Sequence, residues 1–287
     1  MRRLSAEHVV YELSKDHPPA YTVADGETVI VETRDAGDGF LGRDGVWKPG
    51  RGRPNPSTGP IAVEGSEPGE ALAVTIHEIR VADWGYIGGG EGVKPTIVEL
   101  RDGIAHYPWG LRLPVRPLMG VMGVAPPGEP GGLMSLTDWG GNFDSPDISA
   151  GATIHFPVAA PGAMLVTGDA HARQGDGECC GTGIECAVEV VLTVRRVRDP
   201  VWHKVYLVRD DELTVYGTSA DLDEAAWNAV GDMTELLTKL TGLSEVESRR
   251  LLATAGDVRI SQIVCPEKTC RAVIPRRAIP DRWPFQS

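Results

Sequence analysis

Residues 187–194 have the sequence Ala-Val-Glu-Val-Val-Leu-Thr-Val, in which Glu189 and Thr193 are the polar interruptions of a β-branched, apolar run. Residues of this kind pack well on a pleated surface, so the run predicts a β-strand. Shorter runs of the same character lie between Gly- and Pro-containing turns at 28–33, 71–79, 153–157, 164–167 and 205–208. Strands at this spacing predict a mainly β protein with a β-sandwich or jelly-roll-like body.

The pattern changes after residue 220. Asp221 followed by Glu224 resembles a capping pair at a helix start, and Gly242 is a typical helix end. Between them, apolar residues recur at steps of four and three, the spacing of an amphipathic helix, at Ala226, Val230, Met233, Leu237 and Leu240.

A second, shorter helix is predicted over 244–255, where Ser and Glu stand three residues apart at the start, and a strand is predicted over 258–264. Helices therefore join the strands only near the end of the chain. The sequence predicts two domains, a β-sandwich catalytic body over 1–208 and an α+β C-terminal subdomain over 209–287.

Two Gly- and Pro-rich segments, 34–60 and 83–96, are predicted to be long loops over the sandwich. The first contains Gly37-x-Gly39-x-x-Gly42, which matches the glycine spacing of a dinucleotide-binding turn. That motif requires a strand before it and a helix after it. The helical pattern is missing here, so a nucleotide site is not predicted.

Composition excludes several classes of partner. The net charge of −12 without a basic cluster argues against nucleic acid as a partner. No apolar run approaches the roughly 18 residues of a membrane span. Met1-Arg2-Arg3 is not followed by the apolar segment of a signal peptide, and the five cysteines are an odd number, so we predict a cytoplasmic protein without a disulfide framework.

The stretch 168–178, Gly-Asp-Ala-His-Ala-Arg-Gln-Gly-Asp-Gly-Glu, concentrates three carboxylates, an imidazole and an amide within eleven positions. A second polar group, Asn142 and Asp144, precedes it by about 25 residues. Apolar strands that deliver such side chains to Gly-rich turns are typical of a metal site or a general acid/base site. The alternative is a polar surface loop, because Gly and Asp are ordinary turn formers.

Asp169 and His171 would point to the same side of an extended segment. One imidazole with carboxylates suits zinc, manganese or iron, whereas ligation by oxygen alone favours calcium or magnesium. We therefore predict a divalent metal cofactor, with zinc preferred and calcium or manganese as alternatives.

The sequence also bears on nucleophilic catalysis. The chain contains neither a Gly-x-Ser-x-Gly nor a Ser-x-x-Lys sequence, which argues against the usual serine nucleophiles. Cys179 and Cys180 adjoin Glu178, a possible base, so a cysteine nucleophile stays open. In the simpler interpretation, these small side chains only pack behind the polar loop.

The order of the motifs is more specific than any one of them. The chain resembles the acetamidase/formamidase family over residues 20–275 through Gly141-Asn142-Phe143-Asp144, Phe156-Pro157-Val158, Gly168-Asp169-Ala170-His171, Gln174-Gly175-Asp176-Gly177-Glu178, Gly181-Thr182-Gly183-Ile184-Glu185, the segments 55–60 and 63–70, and 260–264. The resemblance implies hydrolysis of short linear amides such as formamide and acetamide to a carboxylate and ammonia. Some members of the family open cyclic amides, so a lactamase-like activity is the alternative.

The polar residues receive roles as hypotheses under this resemblance. Asp144, Asp169 and His171 would bind the metal, and Glu178 would be the general acid/base. Asn142 and Gln174 would orient the substrate, with Glu185 as a further catalytic candidate. The resemblance also implies a homo-oligomer.

A catalytically silent β-sandwich that binds a sugar or a protein is the alternative from another class. Such modules usually present exposed aromatic residues on one face. Aromatic residues make up only 6% of this chain, and four of the tryptophans are spread over separate predicted loops at Trp47, Trp84, Trp109 and Trp139. An enzyme with a small amide substrate is therefore the prediction.

Overall fold

Short strands follow one another along the chain until the first helix begins at residue 222. The structure is a computed structural model that describes residues 1–50, 52–88 and 93–279. Its strands are β1 (Arg2–Leu4), β2 (Val9–Val10), β3 (Glu12–Leu13), β4 (Tyr21–Val23), β5 (Thr28–Thr33), β6 (Ser57–Val63), β7 (Ala71–Val81), β8 (Trp84–Ile87), β9 (Thr96–Arg101), β10 (Ile104–His106), β11 (Arg112–Pro114), β12 (Leu118–Gly123), β13 (Gly131–Gly132), β14 (Leu136–Thr137), β15 (Gly140–Asn142), β16 (Ala152–Pro157), β17 (Leu165–His171), β18 (Val188–Val197), β19 (Tyr206–Arg209), β20 (Glu212–Ser219), β21 (Asp257–Gln262) and β22 (Lys268–Pro275). The helices are α1 (Leu222–Thr241) and α2 (Glu245–Ala255), and a 3-10 turn spans Arg276–Ala278.

Two large sheets form the body. The first has nine strands in the order β1-β5-β18-β7-β16-β19-β20-β22-β21, and the predicted strand at 187–194 lies inside it as β18. The second has seven strands, β14-β15-β12-β17-β6-β2 with β4 also paired to β6, and a smaller sheet has the order β11-β10-β9-β8. Buried side chains from both large sheets share one apolar core. The predicted mainly β fold is confirmed.

Helices α1 and α2 cover the far end of the nine-stranded sheet. Their apolar sides pack with residues of β20 and β22 in a second core that includes Leu213, Met233, Leu237 and Ile274. Asp221 accepts a hydrogen bond from the Glu224 backbone N–H at the start of α1. The full reciprocal capping box occurs at α2, between Ser244 and Glu247. The two predicted helices are therefore present, with apolar faces that explain their periodicity.

The boundary predicted at residue 208 falls inside β19, which pairs with β16 on one side and with β20 on the other. The sheet is therefore continuous across this position, while the apolar core is divided into a sandwich part and a helix-covered part. The division of the chain into two domains stays a prediction.

The loop prediction was wrong in two places. β6 begins at Ser57, inside the segment 34–60, and β8 lies inside the segment 83–96. β6 contains Gly59 and Pro60, which usually interrupt strands, yet six of its seven residues are buried, because it lies between β17 and β2. The aromatic residues of β8 are good strand formers despite the glycine between them. Positions 51 and 89–92 of the predicted loops and 280–287 of the predicted subdomain lie outside the described residues.

Both helices of the described part of the chain are too short or too polar to cross a membrane. The long helix α1 carries charged and polar residues along its exposed side.

Candidate active site

The C-terminal end of β17 delivers Asp169 and His171 to buried positions. Gly168 and Ala170 pair with Val121 and Met119 of β12, so this part of the strand lies inside the seven-stranded sheet. Asp169 has a positive φ of 50°, an uncommon conformation for a residue other than glycine. Asp144, Glu178 and Asn55 also have positive φ values, of 41°, 46° and 57°. Such backbone conformations cost free energy and are found preferentially at functional sites.

Gly120 on β12 allows two of these carboxylates to approach each other. A Cβ atom at this position would lie 2.5 Å from the Asp169 carbonyl oxygen and 2.7 Å from Asp144 Oδ1. Any larger residue would push the strand and the side chain apart. The glycine therefore shapes a cradle for Asp144 and Asp169.

Five ionisable side chains meet here, and we call them the acidic cluster: Asp144, Asp169, His171, Glu178 and Glu185. Each is at most 6% exposed. One ligand atom from each of Asp144, His171 and Glu178 lies within 4.8 Å of the others, and the same holds for Asp169, His171 and Glu185. His171 is common to both groups, so the predicted ligand set Asp144, Asp169 and His171 is divided between them.

His171 is held from both sides of its ring. Its Nε2 lies 3.0 Å from Glu185 Oε1 and 3.8 Å from Asp169 Oδ1. Its Nδ1 lies 2.6 Å from Gln174 Oε1, while Gln174 Nε2 donates to the Asp144 carbonyl oxygen at 2.6 Å. With the amide oriented in this way, the oxygen accepts the Nδ1 proton and leaves Nε2 toward the carboxylates. Gln174 therefore orients the imidazole.

Two asparagines hold the carboxylates. Asn55 Nδ2 donates to Asp169 Oδ2 at 2.8 Å, and Asn142 Nδ2 donates to Asp144 Oδ2 at 2.5 Å. Within the described residues, Asn142 Oδ1, Asp144 Oδ1 and Glu185 Oε2 are buried without a hydrogen-bond partner. Buried polar atoms nearly always have a partner. These three oxygens are therefore available to a ligand that enters the cluster.

Burial governs the protonation of the acidic cluster. It raises the pKa of Asp144, Glu178 and Glu185 above the ordinary carboxyl range, and the neighbouring carboxylates raise the pKa further. For His171, burial lowers the pKa, but the charges of Glu185 and Asp169 outweigh this and raise the pKa well above its usual value. A carboxyl group with a raised pKa can keep a proton near neutral pH and donate it.

A cavity of about 190 Å³ opens onto the cluster. Four of the five clustered side chains line it, all except His171, together with Asn142, Asn55 and Cys265. The remaining wall is apolar and consists mainly of Trp47, Tyr86, Met134 and Pro54. A concave site that combines convergent polar groups with apolar and aromatic side chains is typical of small-molecule binding.

Arg271 of β22 connects the two loops that carry Asp144 and Glu178. Its Nε lies 2.8 Å from Asp147 Oδ2, and its Nη2 lies 2.7 Å from Asp176 Oδ1. It also donates to the Ile260 carbonyl oxygen at 2.8 Å and is only 2% exposed. The C-terminal part of the nine-stranded sheet therefore fixes the spacing of the loops around the cavity.

Other residues from the polar stretches lie elsewhere. The side chain of Asp176 is half exposed and pairs with Arg271, and Glu189 pairs with Arg3 and Arg80 on the outer face of β18. Cys179 and Cys180 are exposed and do not line the cavity of the acidic cluster. They line an adjoining open cleft, which shares Glu178 and Thr182 with that cavity.

Several residues of the cavity were not among the candidates from the sequence. Asn55 lies in the family-like segment 55–60, and its position before a proline at the start of β6 was the available signal. Cys265 lies 4.0 Å from Asp144 Oδ2, and burial together with that carboxylate raises its pKa to about 12. Trp47 and Tyr86 come from the predicted loop segments, where no local pattern indicated a cavity wall.

Comparison with known proteins places these residues in a wider context. The model of the acetamidase/formamidase family matches residues 5–94 and 134–280, which include every member of the acidic cluster. A protein of Schizosaccharomyces pombe, described provisionally as a formamidase, is 25% identical over 261 residues, covering 65% of this chain. The chain covers 63% of the length of that relative.

Two solved structures resemble the fold over nearly their whole length. One, from Thermoanaerobacter tengcongensis, is described as a predicted acetamidase/formamidase; it is 34% identical, with a TM-score of 0.93, covering 98% of this chain and 97% of the other. The second, an acetamidase from Bacillus halodurans, is also 34% identical, with a TM-score of 0.90, covering 98% of this chain and 99% of the other.

Proposed function

Because this chain belongs to the acetamidase/formamidase family, we propose that it hydrolyses the C–N bond of short linear amides, such as formamide and acetamide, to a carboxylate and ammonia. The acidic cluster at the cavity is the observation that carries the proposal. Hydrolysis of an unactivated amide needs an activated water and a proton for the leaving nitrogen. Buried carboxyl groups with raised pKa values beside an oriented imidazole are suited to both tasks.

The residues of the cluster fit a divalent metal ion. Three buried oxygens have no partner among the described residues, and two of them belong to the carboxylates Asp144 and Glu185. Four carboxylates around one imidazole form a donor set of oxygen with a single nitrogen. Asp144, Asp169 and His171 would hold the ion, which would supply Lewis acidity toward the amide carbonyl and lower the pKa of water. Zinc is the proposed metal, with calcium or manganese as alternatives.

The protein's own groups would handle the protons and the orientation. Glu178, whose pKa is raised by burial and by Asp144, would donate a proton to the leaving nitrogen and take one from water. Asn142 Oδ1 is free to accept an N–H of the substrate amide, since its Nδ2 already donates to Asp144. Gln174 would accept the proton of His171 Nδ1 and keep the ring in position, which leaves Nε2 for the ion. Glu185, whose Oε1 lies 3.0 Å from Nε2 in the ion-free cluster, would be a further catalytic group beside it.

A direct test combines metal analysis with an ammonia-release assay. We expect the protein, purified without chelator, to contain a stoichiometric divalent ion and to release ammonia from formamide and acetamide. Removal of the ion should stop the release, and titration with zinc, manganese and calcium should restore it with one preferred metal. Full activity in metal-free protein would contradict the metal-dependent mechanism.

If metal-free protein is active, a cysteine nucleophile is the alternative mechanism. Cys179 and Cys180 do not line the cavity itself but share a cleft with Glu178, while burial and the charge of Asp144 raise the pKa of Cys265, which disfavours a thiolate there. Protection of activity from alkylation by substrate would be its signature. A protein that binds amides without releasing ammonia would instead support the binding-module alternative.

We expect the metal to stabilise the protein more strongly at higher pH. The buried carboxyls of the ion-free cluster keep protons that the unfolded chain releases above about pH 4. In that range the folded state binds more protons than the unfolded state, so the free energy of unfolding of ion-free protein falls as the pH rises. The raised pKa of His171 acts in the same direction.

The ion binds the deprotonated carboxylates, so proton competition weakens it at low pH. The rise in melting temperature caused by the preferred ion should therefore be larger at pH 8 than at pH 6. Differential scanning fluorimetry with monovalent salt at equal ionic strength as the control would measure it. An equal or smaller rise at pH 8 would refute binding of the ion by these carboxylates.

The cytoplasmic location and the homo-oligomer also belong to the proposal and rest on the sequence. Sedimentation as a monomer would refute the oligomer.

A further inference from the structure

We propose that Trp47, Tyr86 and Met134 form an acyl pocket that makes the enzyme prefer linear amides with three- to five-carbon acyl chains over formamide and acetamide. This inference rests on the proposed amide hydrolysis and specifies its substrate class. It derives from the shape and lining of the cavity above the acidic cluster.

The cavity has a polar floor and an apolar wall. The carboxyl groups that line it are at most 6% exposed, Tyr86 is 4% exposed, and Met134 is 45% exposed. The carboxyl groups and Tyr86 therefore lie at the buried end of the cavity, and Met134 lies toward solvent. An amide whose C–N bond lies at the carboxyl groups would direct its acyl chain along the aromatic side chains.

The size of the cavity exceeds what the smallest amides fill. An apolar cavity of about 150 Å³ accommodates benzene, and a water molecule occupies roughly 30 Å³ in the liquid. The present cavity measures about 190 Å³. Acetamide has four non-hydrogen atoms, so together with a reacting water it would leave room beside the apolar wall. A longer acyl chain would fill that room and displace water from it.

Trp47 is held in place by its own loop. Its ring stands edge-on to the Tyr86 ring, with the centroids 5.8 Å apart and an interplanar angle of 83°. A Cβ atom on Gly37 would lie 2.8 Å from Cζ3 of the indole, so this glycine makes room for the ring. Backbone pairing of Trp47 with Leu41, and the Lys48 N–H bond to the Phe40 carbonyl oxygen at 2.8 Å, close the loop behind it. The apolar wall at Trp47 is therefore preformed in the absence of substrate.

The expected preference follows from burial of apolar surface. Each methylene transferred from water to an apolar wall changes binding roughly four-fold. The gain should persist in the transition state, because the acyl chain lies away from the reacting bond. Thus kcat/KM should rise about four-fold from acetamide to propionamide and again to butyramide.

The test is a series of kcat/KM values for formamide, acetamide, propionamide, butyramide and valeramide, measured as ammonia release by the metal-loaded enzyme. The Trp47→Ala variant should lower kcat/KM for butyramide about ten-fold more than for formamide, because it removes the largest part of the wall. Trp227→Ala is the matched control, since Trp227 is 64% exposed on α1 and is not among the residues that line the cavity. It should keep the wild-type profile.

A wild-type series that falls steadily from formamide onward would overturn the acyl pocket while leaving the proposed hydrolysis intact. A rising series with an unchanged slope in Trp47→Ala would also overturn it, because the selection would then lie elsewhere. If no amide releases ammonia, the proposed function fails, and ligand-observed NMR decides the pocket separately. Binding must then strengthen with chain length in the wild type and lose that trend in Trp47→Ala.

Discussion

Replacement of Glu178 by glutamine is expected to lower kcat by about 10²–10⁴-fold, the usual loss when a general acid/base is removed. Glutamine keeps the size of the side chain and a hydrogen-bonding group but cannot exchange the proton. Burial and the charge of Asp144 raise the pKa of Glu178, so this carboxyl is suited to hold the proton that the leaving nitrogen needs. Steady-state kinetics on acetamide, together with metal analysis of the same preparation, would measure both consequences.

Glu178 could be a general acid/base or a metal ligand, because its carboxylate lies within 4.8 Å of ligand atoms of Asp144 and His171. The metal content of the variant separates these two roles. Low kcat with a full complement of metal indicates acid/base chemistry, whereas loss of metal makes Glu178 a ligand. Glu189→Gln is the matched control, since Glu189 pairs with Arg3 and Arg80 on the sheet surface and should give wild-type values. A normal kcat in Glu178→Gln would move the assignment to Glu185.

Replacement of His171 by alanine is expected to lower both metal affinity and turnover. The loss of affinity should exceed 10–100-fold, the usual effect of removing a residue that only supports a metal ligand by a hydrogen bond. His171 is the one residue shared by both groups of possible ligands, and it supplies their only nitrogen. Its loss also leaves buried carboxylates without the positive partner that the raised pKa of the imidazole indicates. Titration of the apoprotein with the preferred ion would give the affinity.

Gln174→Met provides an intermediate case. It removes the hydrogen bond to Nδ1 and leaves the imidazole, so its effect should fall within the 10–100-fold range. His77→Ala is the control histidine, because His77 lies exposed on β7 and contacts Thr193. Unchanged metal affinity in His171→Ala would exclude this side chain as a ligand, whatever happened to turnover.

The fold could be predicted from the sequence where local composition or periodicity is clear. The strand Thr28–Thr33 was identified from a run of β-branched residues, and the helix stripe from Ala226 to Leu240 from the period that burial on one side of a helix imposes. β6 was missed because its glycine and proline are typical of a turn. The strands that bury it are distant in the sequence: β17 lies about 100 residues later and β2 nearly 50 residues earlier. Long-range pairing leaves no local signal.

The ionisable part of the candidate site was predictable from the polar motifs, whereas the residues of the cavity wall were not. Asp169, His171 and Glu178 stand close together in the sequence, and the structure brings them together with Asp144 and Glu185. The role of each residue stays a prediction. Gln174 was expected to orient substrate but contacts the imidazole, and no single-sequence pattern could have indicated which partner its amide finds.

Arg271 has a consequence for how this protein can change during evolution. It binds Asp147 and Asp176 from a strand near the end of the described chain, so the geometry of loops encoded in the middle depends on a residue encoded about a hundred positions later. A descendant that lost β21 and β22 would retain all five members of the acidic cluster and lose the spacing between their loops. An exchanged C-terminal segment should therefore disturb the cavity unless it again supplies a cation to Asp147 and Asp176.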